Sequence, residues 1–218
     1  MTPIQYLQLL ALGALAFFVV AFAWRLRNFN QLARPTDRSQ PKGSPQAGVL
    51  YAFTLGMAPW AKESTRLHAV AYLRGVGFHL GIFLCLAILV ASPWIPRLPE
   101  EVRIILGIGA TLGAILGFAG FAMRFLEHNL KALSTPDDYF AVLMVSLFST
   151  TAGLWLFGLI PVAVFYAASV VLLVYAPFSK IRHCFYYAYS RLFFGKFFGR
   201  RAVLPHDQKK QAASGGEQ

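Results

Sequence analysis

The sequence predicts an all-α membrane protein, a five-transmembrane-helix bundle with the N-terminus outside and the C-terminus cytoplasmic. Three observations predict it. The 218 residues are 57% hydrophobic and only 13% charged, with a mean hydropathy of +0.54, and a soluble domain of this size cannot hide that much apolar surface. The apolar residues fall in runs long enough to cross a hydrocarbon core of about 30 Å. The basic residues, which leave a formal net charge of +11, sit in blocks between and after those runs. That placement encodes membrane orientation, so membrane lipid is an expected partner and nucleic acid is not.

The first span runs from about Ile4 to Trp24. It is read as an uncleaved helix: no basic segment precedes it, the apolar run is too long, and Arg25 and Arg27 follow it. A polar stretch with Arg34, Arg38 and Lys42 comes next. Ala47–Trp60 is apolar but short and broken by Gly56 and Pro59, which suits an interfacial or re-entrant helix. Lys62 and Arg66 lead into the second span, roughly Ala71 to Trp94, with Arg74 in its first turn. After a proline-rich loop the third span covers about Ile104 to Met123. The run Ser134-Thr135-Pro136-Asp137 can cap the next helix, because its oxygens accept orphan backbone donors. The fourth span is about Phe140 to Leu159, and a tight turn at Pro161 starts the fifth, about Val162 to Tyr175.

Pro177 should kink or interrupt that last helix, yet the chain beyond it stays helical in period and amphipathic, with aromatics suited to a membrane interface. Residues 1–200 are thus read as one membrane domain and 201–218 as a polar, disordered cytoplasmic tail. Orientation follows from the loops. Most Lys and Arg fall in the first inter-span region and the tail, whereas the proline-rich loop offers Arg97 and Arg103 offset by Glu100 and Glu101. The positive-inside rule makes the first region and the tail cytoplasmic.

The five histidines carry the chemistry. A histidine within a span is costly unless it has a partner or a job. His79 lies about two turns into the second span, with Gly75 four residues before it and Gly77 and Gly81 nearby. Small residues beside it admit a flat macrocycle; they equally admit plain helix packing, with His79 in an interhelical hydrogen bond. His183 follows Pro177 at the cytoplasmic end of span five, and two imidazoles on opposite faces of a porphyrin give six-coordinate, low-spin iron suited to electron transfer. Lys180 and Arg182 flank His183 and Arg74 stands near His79, so haem propionates would have cationic partners, although such cations also serve topology or lipid contact. His68 precedes His79 by eleven residues; on a continuous helix the two share a face within roughly 20° and lie about 16 Å apart. His68 and His128 form a possible second pair, while His206 in the tail carries no role. Asp137 and Asp138 are explained by capping, with proton relay as the alternative. Cys85 and Cys184 suggest neither a disulfide nor a zinc site.

Three stretches resemble a known group: FHLGIF around His79, KALSTPDDYF at Lys131–Phe140, and PFSKIRH at Pro177–His183. In that order and spacing the chain resembles the cytochrome b gamma subunit of membrane-bound respiratory nitrate reductase. It equally resembles that subunit's relatives in sulfite-reductase-linked, heterodisulfide-reductase-like and hydrogenase-linked complexes. In that family two haems are stacked across the membrane, each held by one histidine from span two and one from span five. The resemblance implies that His79 and His183 are the pair nearer the cytoplasm. The outer pair is missing, because the corresponding stretches read Ile88, Leu89, Val90 and Val164, Phe165, Tyr166, Ala167. One haem b is therefore expected, or two if His68 and His128 hold another, and the family's quinone site beside the outer haem is in doubt.

The function this implies is that of a membrane-anchor electron-transfer subunit in a bacterial or archaeal cytoplasmic membrane. It would move electrons between the quinone/quinol pool and a cytoplasmic iron–sulfur partner, without completing catalysis alone. The rivals are a haem-free scaffold subunit and a small transporter. For the transporter, spans three to five offer only a thin polar pathway: Thr111, Ser146, Ser149, Thr150, Thr151 and Ser169.

Overall fold

Apolar runs flanked by capping residues become helices in the computed structural model, which describes residues 1–32, 39–61 and 63–205, apart from the side chain of Ser64. Arg34, Arg38, Lys62, His206 and the rest of the tail from 206 lie outside the described residues. The helices are α1 (Pro3–Asn30), α2 (Pro45–Phe53), α3 (Glu63–Leu67), α4 (Ala69–Ala91), α5 (Glu100–Leu126), α6 (His128–Leu133), α7 (Pro136–Leu156), α8 (Val162–Tyr175) and α9 (His183–Arg200). Short 3₁₀ turns follow α2, α4 and α8, and no strand occurs among the described residues.

Four helices, α1, α4, α5 and α7, are long and apolar enough to cross a membrane; a fifth span results if the broken segment from Val162 to Arg200 counts as one. Helix α8 alone has 14 residues, roughly 21 Å of rise, short of a hydrocarbon core of about 30 Å. The expected fifth span at Val162–Tyr175 therefore has the expected bounds but not, by itself, the length. These are the helices of a multi-pass membrane protein. Their outward faces carry exposed Leu9, Val20, Phe83, Ile105 and Leu112, an apolar surface suited to lipid and not to water.

The chain divides into two units, Met1–Phe29 with Val70–Arg182, and Asn30–Ala69 with His183–Gln218. The core of the first draws Ala11 and Ala14 from α1, Cys85, Ile88 and Leu89 from α4, Ala110 from α5, Phe148 and Ala152 from α7, and Phe165 and Leu172 from α8. Helix α7 is the most enclosed of the four spans and α1 the least, with 44% and 17% of their apolar windows buried. Close packing comes from small residues. A Cβ on Gly81 would lie 2.5 Å from the Gly113 Cα, and one on Gly117 would lie 2.5 Å from a ring carbon of Phe78. Helix α5 thus meets α4 at a glycine-to-glycine crossing, while Gly117 also faces Ser146 of α7. Backbones this near gain dispersion contacts that a larger side chain would prevent. Between α7 and α8 the filling is aromatic, with the Phe165 ring stacked against Phe148 at 5.5 Å and Trp155 at 5.4 Å.

Hydroxyls inside the spans are satisfied locally. Ser146, Ser149, Thr150, Thr151 and Ser169 donate to the carbonyls of Val142, Val145, Ser146, Phe148 and Phe165 on their own helices. They read as packing residues and not as the lining of a pathway.

Helix ends explain where the spans stop. Helix α7 starts at Pro136, four residues before the expected Phe140, because Thr135 and Asp138 form a reciprocal capping box with Pro136 in the first turn. It ends in a Schellman motif. The Leu159 N–H donates to the Leu154 carbonyl and the Gly158 N–H to that of Trp155, both at 2.9 Å, with Gly158 at φ +73°. Helix α1 runs six residues past the expected Trp24, since no glycine or proline stops it before Asn30.

In the second unit Ser44 caps α2, its Oγ accepting from the Ala47 N–H at 3.3 Å. Helices α2 and α9 run antiparallel. Gly43 meets Gly199, Gly48 meets Gly195 and Gly199, and Tyr187 Oη donates to Met57 Sδ. The short, interrupted helix expected over 47–60 is α2 and the 3₁₀ turn at Leu55–Met57.

Because only glycine occupies a left-handed position without a Cβ penalty, Gly158→Ala should cost about 1 kcal/mol. Thermal unfolding in detergent should show a lowered midpoint with helix content unchanged at low temperature.

Candidate functional site

His79 sits ten residues into α4, roughly 15 Å along it. Its side chain is exposed, on the same outward stripe as the exposed Val76 and Phe83. The ring Nδ1–H donates to the Gly75 carbonyl at 2.7 Å. A carbonyl can only accept, so Nδ1 is the donor in this bond, which sets the ring plane. Gly75 itself borders open space, with nothing within 4 Å of where a Cβ would stand.

The neighbouring glycines have another task. Gly77 lies under the Leu116 side chain and Gly81 against Gly113, so both serve the α4–α5 crossing and not the histidine's face. Arg74 points away from that face as well: its Nε lies 3.9 Å from the position of a Cβ on Gly120 of α5.

Lys180 is drawn to α7. Its Nζ is 3.4 Å from Asp138 Oδ2, and its backbone N–H donates to Asp137 Oδ2 at 2.8 Å. Asp137 also accepts a hydrogen bond from the Tyr175 hydroxyl. Asp138, besides pairing with Lys180, accepts from the Thr135 N–H and hydroxyl at 2.8 and 2.7 Å. The adjacent carboxylates thus divide the work. Asp138 caps α7, while Asp137 ties the start of α7 to the end of α8, where Pro177 removes a backbone donor and the helix gives way to 3₁₀ turns. Sequence reasoning found the cap; it missed Tyr175, whose partner is 38 residues away and leaves no local signal.

His183 opens α9 and is exposed. It belongs to the second unit, whereas His79 belongs to the first. His68 is an exposed turn residue between α3 and α4, so the continuous helix that would align it with His79 is interrupted at His68 itself. His128, at the start of α6, is also exposed and belongs to the first unit, whereas His68 belongs to the second. No group of three or more His, Cys, Asp or Glu side chains suited to a metal ion occurs among the described residues, although an axial haem pair requires only two ligands.

In the stretches that the resemblance aligns with a second pair, Val90, Val164 and Ala167 are exposed. Ile88, Leu89, Phe165 and Tyr166 are all buried in the apolar core of the first unit. No family model, curated protein or solved structure matches the chain.

Removing the carboxylate of Asp137 leaves the Tyr175 hydroxyl and the Lys180 N–H without their acceptor. Asp137→Ala should destabilise the fold by about 1–3 kcal/mol. Tyr175→Phe should cost less, and the two changes together should fall short of their sum, a coupling that a double-mutant cycle of unfolding midpoints reads directly.

Proposed function

We propose that the chain is the membrane-anchor electron-transfer subunit of a quinone-linked respiratory complex, holding one haem b through His79 and His183. The observation that carries this reading is the placement of His79. An exposed imidazole on the outward stripe of an apolar helix, about 15 Å from its end, is within reach of a group lying against that helix, and a histidine at such a place suits a ligating role. Its Nδ1–H bond to Gly75 is the kind of tether that orients a ligating histidine and raises its basicity. The open space at Gly75 leaves room for a flat group beside it.

When bound, haem supplies a one-electron ferric/ferrous couple at the membrane. His79 and His183 would present their imidazole nitrogens to the iron, and the Gly75 carbonyl would hold the His79 ring. Of the cations expected beside the propionates, Lys180 pairs with Asp138 and Arg74 runs to Gly120 of α5, so either would have to turn from its present contact to reach a propionate. The core packing of Ile88, Leu89, Phe165 and Tyr166 favours one haem over two. Quinone and quinol are the proposed small-molecule partners, and a cytoplasmic iron–sulfur protein the proposed redox partner. We take the fifth of five spans as α8 with the 3₁₀ turn at Ala176–Phe178, α9 being left to the interface, with the N-terminus outside and the basic regions on the cytoplasmic side of a bacterial or archaeal membrane, as the loop charges favour.

A reduced-minus-oxidised visible spectrum with a pyridine haemochrome count tests it, on purified wild type, His79→Ala and His183→Ala. One low-spin haem b per chain, lost in either variant, is the expected result. A colourless wild type, purified gently with haem supplied, would sink the cytochrome reading and leave a haem-free scaffold in front.

A further inference from the structure

The α2–α9 unit is distinguished by its charge. From Ser39 to Ala61 and from His183 to Pro205 the chain contains Lys42, Arg191, Lys196, Arg200 and Arg201, and neither Asp nor Glu, while α3 of the same unit adds Glu63 and Arg66. Gly195 and Gly199 turn one side of α9 onto α2. On the opposite side Tyr186, Phe193 and Phe197 follow one another at helical spacing, with Tyr186 and Phe193 exposed. Cations stand along the same helix and just after it. The Arg201 guanidinium lies 3.5 Å from the centroid of the Phe197 ring and donates to the Phe197 carbonyl at 3.1 Å, Lys196 is exposed between Phe193 and Phe197 in sequence, and Arg191 lies 5.6 Å from the Tyr187 ring, off the stripe. Arg200 has a separate task, since its Nη2 donates to the Ser39 carbonyl at 2.7 Å while its own carbonyl accepts from the Lys42 and Gly43 N–H groups.

We propose that α9, braced by α2, is a binding surface for anionic phospholipid, with its aromatic stripe in the acyl boundary and Arg191, Lys196 and Arg201 on headgroup phosphates. Charge complementarity selects the occupant. A helix with aromatics along one stripe and long cationic side chains beside it lies in an interface with its charges reaching for phosphate. The exposed Leu50, Leu55 and Trp60 in and after α2 add apolar surface to the same unit. Covalent continuity keeps the unit at a bilayer, because it is joined to α1, α4 and α8. Each cation near such a surface contributes on the order of a fivefold preference for anionic over zwitterionic lipid.

The test uses the full chain in mixed micelles with equal phosphatidylglycerol and phosphatidylcholine, counting retained lipids by native mass spectrometry. Wild type should retain phosphatidylglycerol preferentially. The triple variant Arg191→Gln/Lys196→Gln/Arg201→Gln should lower that preference roughly tenfold or more, whereas Arg97→Gln/Arg103→Gln in the proline-rich loop region should leave it unchanged. If the triple variant fails to fold, judged by circular dichroism and size exclusion, Lys196→Gln alone should still lower the preference about fivefold. No preference in wild type, preference retained in the folded triple variant or in Lys196→Gln, or equal loss in the loop variant would each overturn the proposal.

Discussion

Close approach of helix backbones is the constraint on which the first unit depends. Among lipid tails, apolar side chains gain nothing by leaving solvent for one another, so helices associate through contact and hydrogen bonding. Helix α5 meets that condition with glycine and alanine. Gly113 faces Gly81 on α4, Gly117 receives the Phe78 ring and the Ser146 hydroxyl, and Ala110 and Ala114 are buried in the same helix. Helix α7 answers with Gly153, which abuts Thr111, and with serines whose hydroxyls bond to their own backbone. Small side chains on α5 and bulky rings between α7 and α8 are therefore two parts of one packing solution.

Polar contacts concentrate where apolar packing ends. The Thr135–Asp138 capping box, the Asp137–Tyr175 hydrogen bond and the Lys180–Asp138 ion pair lie at the start of α7 and the end of α8. An ion pair with an exposed lysine contributes little by itself. The bonds of Asp137 matter more, because they supply an acceptor near Pro177, where the helical ladder is interrupted. The second unit uses the same means on a smaller scale. Glycines let α2 and α9 touch, and backbone bonds from Lys42 and Gly43 to the Arg200 carbonyl close one end.

Helix packing also separates residues that sequence proximity groups together. Gly75, Gly77 and Gly81 fall within seven residues around His79, yet Gly77 and Gly81 turn to α5, and Gly75 alone stays with the histidine's face and holds its ring. Arg74 and Lys180, both cations near candidate ligands in sequence, differ in the same way: one runs over Gly120, the other is held by α7. What remains at His79 is an outward imidazole whose ring is held by the Gly75 carbonyl.

The sequence by itself determined the all-helical class, the long apolar helices α1, α4, α5 and α7, the short break of α2, the cap at Thr135 and the interruption at Pro177. Each of these is local, written in hydropathy, helical period or backbone chemistry over a few neighbouring residues. It also marked His79 as the polar exception within an apolar run. Only the tertiary structure decided which glycines serve packing and which borders open space. It likewise decided that Tyr175 reaches Asp137, that the helix breaks at His68, and that Ile88, Leu89, Phe165 and Tyr166 fill the core. Those outcomes depend on which faces of distant helices meet, and residues far apart in the chain carry no local signal of their partners.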